Sequence, residues 1–292
     1  MYSKRCKLRL DIHEEHLFCC RTSADALDLL DIFHITMKIT VLTIKKSLFG
    51  LKFLNLLNNE YGQPNAIIFL DQPIRYYYQL FRFVNKRVGL FETLYFSSKR
   101  IMKYQKTYHE LKKLKNFCWN YNRLSKKTYH VHGDKERDII KALKNCVPDL
   151  LVLAETGIVS PHVFEIPRLG TLNGHPGILP YYRGIDSWKW AIFNDEIDKI
   201  GSTVHWVDEK VDHGSILMKE SLHPDLIRDP NQMDTILHNQ CFNLLIKTIR
   251  LLDSHPHIKG TEQDDTVGKQ YFKMPLRLER ITHRKVKNFQ KQ

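Results

Sequence analysis

The chain has 292 residues, of which 42% are hydrophobic and 26% are charged, and its formal net charge at pH 7 is +13. This composition is typical of a globular protein with one large domain, or one domain with additions. No stretch approaches the roughly 18 apolar residues that cross a membrane, so we expect no membrane partner. The six cysteines are scattered along the chain. That pattern favours free thiols in a reducing cytoplasm over a disulfide framework.

The first segment with the pattern of an α/β core begins at Met37. A strand is predicted over 39–43, followed by a loop and a helix of about ten residues. Residues 1–36 carry several carboxylates and lack a signal-peptide core, so they do not resemble a targeting sequence. Two interpretations remain: residues 1–36 form an additional helical arm, or the true start codon is that of Met37 and they are not part of the native protein. We expect a chain that starts at Met37 to stay folded and active.

Strand and helix patterns alternate along the rest of the chain. Further strands are predicted at 66–70, 129–131, 150–154, 170–173, 202–207 and 215–218. Helices are predicted at 75–88, 108–117, 187–193 and 233–252, and one more runs from an N-cap at Asp134 to Cys146. This order predicts a mostly parallel, Rossmann-like α/β sheet with helices on both faces and an antiparallel part. The first loop, TIKKSLFG, lacks the GxGxxG spacing of a dinucleotide site.

The segment NGHPGILPYYRG, residues 173–184, is predicted to be a stiff and open loop. Its prolines restrict φ, and its three glycines allow positive φ and the close approach of another molecule. Asn173 and His175 lie at its start, directly after an apolar, strand-like run. A lone histidine in a loop is most often a capping or packing residue, but this placement favours a site.

The segment GSTVHWVDEKVDHGSIL, residues 201–217, predicts two strands joined by an acidic turn. Its three carboxylates could equally belong to an ordinary solvated hairpin. We interpret His205 as a packed strand residue. For His213 two interpretations remain: it belongs to the site beside its neighbour Asp212, or its side chain simply faces solvent. The spacing of histidines and cysteines is unlike that of a zinc site, so we expect no metal. An amide, an imidazole and a carboxylate from these two segments could together handle the oxyanion of an acyl transfer.

These two segments together resemble the formyltransferase family that uses 10-formyltetrahydrofolate. That family includes glycinamide ribonucleotide formyltransferase, methionyl-tRNA formyltransferase and the sugar N-formyltransferases. The resemblance extends to PDLLVLAETGIVSPHVF and, more weakly, to GKQYFKMP near the C-terminus. It implies an N-terminal extension over 1–36, a formyltransferase catalytic domain over 37–275 and a basic tail over 276–292.

The resemblance also implies the site residues. Asn173 would donate to the developing oxyanion, His175 would stabilise that charge or relay a proton, and Asp212 would orient the groups; either His175 or Asp212 could be the base. The formyl donor would be 10-formyltetrahydrofolate, with no metal. Its pterin ring would lie between a loop and a turn and would be bound mainly by backbone groups of Glu155, Thr156, Gly157, Ile158, Val159, Asp208 and Val211.

The expected acceptor is a small-molecule primary amine, and we favour a nucleotide-linked amino sugar. No run of short strands suggests the C-terminal barrel of the tRNA enzymes, and the segment 99–127 exceeds what a glycinamide enzyme's core needs. Arg183 is a bidentate donor suited to phosphate or carboxylate. Glycinamide ribonucleotide and methionyl-tRNA are the alternative acceptors, and a homodimer is possible.

The basic segments 99–127 and 277–291 leave a nucleic-acid function open. Aromatic residues interleave the lysines and arginines of the first segment, which is a pattern that could bind RNA in a protein without enzymatic activity. We favour a basic helical face whose aromatic side chains pack on the core. A relative that hydrolyses formyl-folate, or that has lost activity, is the other alternative.

Overall fold

A computed structural model describes residues 37–45, 47–71, 74–114, 117–132 and 136–289 of the chain. These residues belong to a compact unit that runs from Met37 to Gln292. Residues 1–36 lie outside the described residues, and so do the two alternative interpretations given for them above. The expected N-cap at Asp134 also lies outside the described residues.

The strands confirm the expected mostly parallel, Rossmann-like α/β sheet. They are β1 (Ile39–Ile44), β2 (Ala66–Asp71), β3 (Thr128–His132), β4 (Leu150–Ala154), β5 (Gly170–His175), β6 (Tyr182–Gly184), β7 (Gly201–Trp206), β8 (Ile216–Ser221) and β9 (Lys269–Tyr271). Within the described residues, one sheet has the order β3-β2-β1-β4-β5-β7-β8, and β6 pairs with β9 in a second. The five strands β3, β2, β1, β4 and β5 are parallel to one another, whereas β7 is antiparallel to β5 and β8 is antiparallel to β7.

The described residues form eight α-helices, and several of them cover both faces of the larger sheet. They are α1 (Leu48–Glu60), α2 (Ile74–Val88), α3 (Leu90–Lys112), α4 (Glu136–Cys146), α5 (Pro161–Phe164), α6 (Ser187–Phe193), α7 (Pro230–Ser254) and α8 (Leu276–Phe289). Strand residues alternate between two apolar clusters, as the two-residue period of a strand requires. Val41 packs in the cluster that includes residues of α1 and α7. Leu42 packs in the cluster that includes residues of α4 and α5.

One helix differs from the sequence-based prediction. We predicted a helix over 108–117, whereas α3 begins at Leu90, directly after Gly89, and ends at Lys112. Several apolar residues of α3 are exposed instead of facing the core. The periodic pattern that marks a core-facing helix was therefore a poor guide to its bounds.

The aromatic residues of segment 99–127 are divided between core and solvent. Phe117 and Tyr121 pack against the cluster under α1 and α7, as we expected. Tyr104 and Tyr108 are 47% and 42% exposed, so the expectation that these side chains pack on the core is wrong for them.

The residues that we expected to be a basic tail include α8, which packs against α6. Lys189 of α6 is buried, and its Nζ lies 3.2 Å from Asp186 and 3.1 Å from Glu279 of α8. Burial lowers the pKa of Lys189, but the negative charges of Asp186 and Glu279 outweigh it and hold that pKa above the ordinary value. This buried ion cluster ties α8 to the segment that follows β6. Across the described residues, no helix combines the length and apolar character needed to cross a membrane.

Candidate active site

Strand β5 carries two of the three expected catalytic residues. We expected Asn173 and His175 in a loop, but the strand continues through both, because Asn173 pairs with His205 and His175 with Thr203 in β7. Residues two apart on a strand point to the same face. Gly174 between them faces α7, where an added Cβ would lie 2.6 Å from Sγ of Cys241. Asn173 and His175 therefore project from the sheet face opposite α7.

The glycines of this segment only partly follow the expectation of positive φ. Gly184 has φ of +92°, whereas neither Gly174 nor Gly177 lies in that region. Gly177 is required by space, since an added Cβ would lie 2.6 Å from Nε2 of His175 and 2.7 Å from Cβ of Ser187. The absence of a side chain at Gly177 thus leaves room for the imidazole ring.

Asp212 reaches the same place from the turn between β7 and β8. It adopts φ of 53°. Its Oδ2 accepts a hydrogen bond from the backbone N–H of Gly184 at 2.9 Å and lies 3.3 Å from Nδ1 of His175. Its Oδ1 lies 3.4 Å from Nδ2 of Asn173. The structure therefore brings together the three residues that the sequence singled out.

The hydrogen bonds of His175 restrict where its protons lie. Nε2 is 2.7 Å from the carbonyl oxygen of Tyr182, which can only accept, so Nε2 carries a hydrogen. Ser187 Oγ lies 3.2 Å from the same nitrogen. The remaining nitrogen, Nδ1, faces the carboxylate of Asp212. It can donate to Asp212 only when the ring is protonated on both nitrogens, so an imidazolium fits this geometry.

His205 is a site residue that the sequence analysis did not identify. We interpreted it as a packed strand residue, and it is indeed buried. Its Nδ1 is 2.7 Å from the carbonyl of Trp206, which leaves Nε2 to accept from Nδ2 of Asn173 at 3.2 Å. Nε2 also lies 3.6 Å from Oδ1 of Asp212. The antiparallel register between β5 and β7, which places His205 opposite Asn173, was the missing information.

The surroundings of Asp212 keep it ionised. Burial raises the pKa of this carboxyl, but the positive charge of His175 and the hydrogen bond from the backbone N–H of Gly184 oppose burial. The net effect lowers the pKa of Asp212 well below its usual value. Asp212 is thus a weak base and a permanent negative charge beside the imidazole.

Arg183 and Gln263 extend the site beyond Asp212. The Gln263 amide donates to the backbone carbonyls of Asp212 at 3.1 Å and Gly214 at 2.9 Å. Its Oε1 accepts from Nε of Arg183 at 3.3 Å. Nη2 of Arg183 is buried and has no hydrogen-bond partner among the described residues. A guanidinium nitrogen without a partner favours a bound anion next to the cluster.

His213 faces carboxylates instead of solvent alone. Its Nδ1 lies 2.7 Å from Asp208, and its Nε2 contacts Asp265. Lys210 also pairs with Asp265, at 3.2 Å. These contacts link the turn that carries Asp212 to the segment near Gln263.

The expected donor-binding residues lie in two loops that border one apolar cluster. Val159 after β4 and Val207 after β7 both pack against the buried residues under α4 and α5. The side chain of Glu155 accepts from Ser47 Oγ at 2.7 Å, and that of Asp208 accepts from His213. Thr156 is buried, and its hydroxyl donates to the carbonyl of Gly157. The remaining expected residues, Ile158 and Val211, are exposed.

The backbone of this first loop is bound by a side chain at one carbonyl, that of Gly157, which accepts from Thr156. Residues 155–159 make no hydrogen bond to other backbone groups within the ranges that the structure describes. Glu155 and Gly157 have positive φ, at 59° and 90°. The same described ranges contain no group of three His, Cys, Asp or Glu that could hold a metal ion.

The fold and the cluster define an α/β protein equipped for group transfer. The chain belongs to the formyl transferase family, whose model matches residues 100–249. Among curated proteins, it is 33% identical over 137 residues to the methionyl-tRNA formyltransferase of Syntrophus aciditrophicus (strain SB), which is 45% of this chain and 42% of that protein. The chain therefore spans less than half the length of the curated relatives that it matches.

Solved structures share the fold at low sequence identity. A glycinamide ribonucleotide transformylase 1 from Symbiobacterium toebii matches with a TM-score of 0.51 and 16% identity, over 80% of this chain and 96% of that chain. A 4-N formyltransferase from Francisella tularensis matches with a TM-score of 0.50 and 18% identity, over 86% of this chain and 87% of that chain.

Proposed function

We propose that this protein is an N-formyltransferase that moves the formyl group of 10-formyltetrahydrofolate to a primary amine. The observation that carries the proposal is the cluster in which Asn173, His175 and Asp212 meet at the end of β5. Membership of the formyl transferase family supports the same reaction. We also propose that it works in the cytoplasm, in keeping with the free thiols of Cys118, Cys146 and Cys241.

The two loops that flank the cluster fit a folate. A pterin ring carries an edge of hydrogen-bond donors and acceptors, and the backbone of residues 155–159 offers both without hydrogen bonds to other described backbone groups. Ile158 and Val211 would cover the ring with apolar surface. Because Glu155 and Asp208 already bind protein groups, we assign recognition mainly to the backbone. We propose 37–275 as the domain that binds and reacts.

In the proposed reaction, the nitrogen of the acceptor amine attacks the formyl carbon. The new C–N bond forms, the bond from that carbon to N10 of the folate breaks, and the proton lost by the amine ends on N10. Negative charge develops on the formyl oxygen between these events. Asn173 would donate to this oxygen, and the positive charge of His175 would stabilise it.

The hydrogen bonds of the cluster decide how its members share this work. Both hydrogens on Nδ2 of Asn173 are directed to protein atoms, on His205 and Asp212, at 3.2 and 3.4 Å. One of these long contacts would have to be exchanged for the formyl oxygen. Asp212 is held ionised and is a weak base, so we assign it to orienting the ring of His175. Water would then carry the amine's proton to N10.

For the acceptor, we propose a nucleotide-linked amino sugar. Nη2 of Arg183 lacks a partner beside the cluster and would bind a phosphate of the acceptor. Glycinamide ribonucleotide also carries a phosphate and is the first alternative. Methionyl-tRNA is the second, favoured by the 33% identity to a protein of that name.

One assay separates these possibilities. The full chain is supplied with 10-formyltetrahydrofolate and, in turn, an amino-sugar nucleotide, glycinamide ribonucleotide, charged methionyl-tRNA or no amine, and the release of tetrahydrofolate is followed. Formyl transfer requires release that depends on an amine. Release without any amine would indicate hydrolysis, and no release with any acceptor would overturn the proposal. The acceptor with the highest kcat/KM identifies the substrate class.

A further inference from the structure

The hairpin formed by α2 and α3 has an apolar outer surface. Seven large side chains of α3 are exposed, with exposed fractions between 42% for Tyr108 and 77% for Phe91. The others are Leu90, Leu94, Ile101, Met102 and Tyr104. Single exposed hydrophobic residues are ordinary, but a contiguous patch marks a surface that contacts something else.

The polar side of α3, and not its apolar side, faces the rest of the protein. The carboxylate of Glu92 accepts a hydrogen bond from the backbone N–H of Leu276 at 3.0 Å. Thr93 is buried, and Lys99 lies 3.7 Å from Glu279 of α8. A surface helix of a globular protein normally turns its apolar face to the core. Over residues 90–104, helix α3 has the opposite orientation, whereas Leu111 near its end is buried.

The exposed apolar face is broad. At about 100° per residue, the seven side chains span roughly 160° of the helix circumference. No charged residue between positions 90 and 105 lies within that arc. A coiled-coil seam is narrower. A broad apolar face on a helix with cationic flanks is typical of helices that lie in a membrane interface.

The charge of the hairpin favours an anionic partner. Residues 74–113 contain ten lysines and arginines but only two glutamates. Two copies of this surface would bring like charges together, whereas anionic lipid headgroups would attract them. The guanidinium of Arg87 lies 3.9 Å from the ring centre of exposed Phe83. A cation therefore lies beside an apolar ring. Lysine and arginine side chains at membrane surfaces are arranged in this way, with their apolar stems in the acyl region and their charged ends at the headgroups.

We propose that the α2–α3 hairpin docks on the surface of an anionic lipid bilayer. The apolar arc of α3 enters the boundary between headgroups and acyl chains, and the flanking cations contact lipid phosphates. We expected no membrane partner because the sequence has no apolar stretch long enough to cross a membrane. The described residues contain no membrane-spanning helix. Docking on the bilayer surface does not require one. The proposal does not depend on formyl transfer, and its test needs no substrate.

The test is sedimentation of the full chain with vesicles of phosphatidylcholine, with or without phosphatidylglycerol. The chain is expected to sediment with the anionic vesicles. Combining Phe91→Ser with Ile101→Ser should weaken this binding at least about tenfold, because both side chains leave the apolar arc. Leu226→Ser, an exposed leucine outside the hairpin, is the matched control and should bind like the parent chain.

A second pair of variants tests the charge contribution. Arg100→Gln with Lys106→Gln should weaken binding to anionic vesicles several-fold and reduce its dependence on salt. Lys141→Gln with Lys144→Gln, both exposed on α4, removes the same charge elsewhere and should have a smaller effect. Circular dichroism is measured to establish which variants are folded. If the variant with both apolar substitutions is not folded, the variant with both charge substitutions tests the proposal.

Three results would overturn the proposal. The first is sedimentation with anionic vesicles no greater than without lipid. The second is equal binding by the hairpin variants and their controls. The third is that the parent chain does not bind lipid but forms a concentration-dependent dimer or an RNA complex, and that the hairpin variants do not form it. The dimer or the RNA complex would identify another occupant of this surface.

Discussion

Oδ2 of Asp212 lies 3.3 Å from Nδ1 of His175 and 2.9 Å from the backbone nitrogen of Gly184. The ring can donate to this oxygen only when both of its nitrogens are protonated, because Nε2–H already binds the carbonyl of Tyr182. The carboxylate therefore stabilises the charged imidazole and fixes its orientation.

Replacing Asp212 by Asn should reduce kcat by about a hundredfold or more, with a folded protein and a smaller change in KM. The amide removes the negative charge that supports the imidazolium but keeps the side-chain volume. The measurement is steady-state release of tetrahydrofolate. Asp198→Asn, at an exposed position outside the cluster, should change kcat by less than about threefold. A folded Asp212→Asn protein with the turnover of the parent chain would contradict the proposed role.

The cluster shows which part of the site the sequence alone can predict. Asn173 and His175 stand two apart after an apolar run, and Asp212 follows a strand, so residue types, local order and the family resemblance together singled them out. His205 was not found, because its role depends on which residue of β5 it faces. The pairing of Arg183 with Gln263 joins distant segments and likewise has no local signal.

The sheet was largely predictable for a related reason. Each of its strands is a short run with β-forming residues, and all of them were predicted within a few residues of their bounds. Helix α3 was missed over most of its length because its apolar residues face outward. The small β6–β9 pair was missed because three-residue strands carry too few positions for a pattern.

The ionisation of Asp212 predicts a pH dependence of stability. Its pKa is lowered in the folded state, so the ionised carboxylate stabilises the fold above the unfolded pKa of about 4. This contribution is lost as pH falls from about 4 through the folded pKa. The difference in unfolding free energy between the parent chain and Asp212→Asn should therefore shrink on acidification below about pH 4. Denaturant unfolding at a series of pH values measures it, and a difference that grows at low pH would contradict the assignment.

The buried ion cluster between α6 and α8 predicts a large stability effect. Replacing Lys189 by Met removes the buried cation that Glu279 and Asp186 share and leaves these carboxylates with weaker compensation, from Lys99 and Lys273. The expected loss is about 3 kcal/mol of unfolding free energy. Lys144→Met, at an exposed position of α4, should change stability by less than about 0.5 kcal/mol. Equal midpoints of denaturation for the two variants would show that the cluster does not stabilise α8.

The space beside His175 predicts the effect of filling it. In Gly177→Ala, the new methyl group would lie 2.6 Å from Nε2 of His175 and 2.7 Å from Cβ of Ser187. The imidazole must then move away from the carbonyl of Tyr182, which should lower kcat about tenfold or more and cost about 1–3 kcal/mol of stability. Adding Ser187→Gly removes one of the two clashes and should restore part of the stability. A Gly177→Ala protein with unchanged kcat and melting temperature would show that the ring position is not set by this contact.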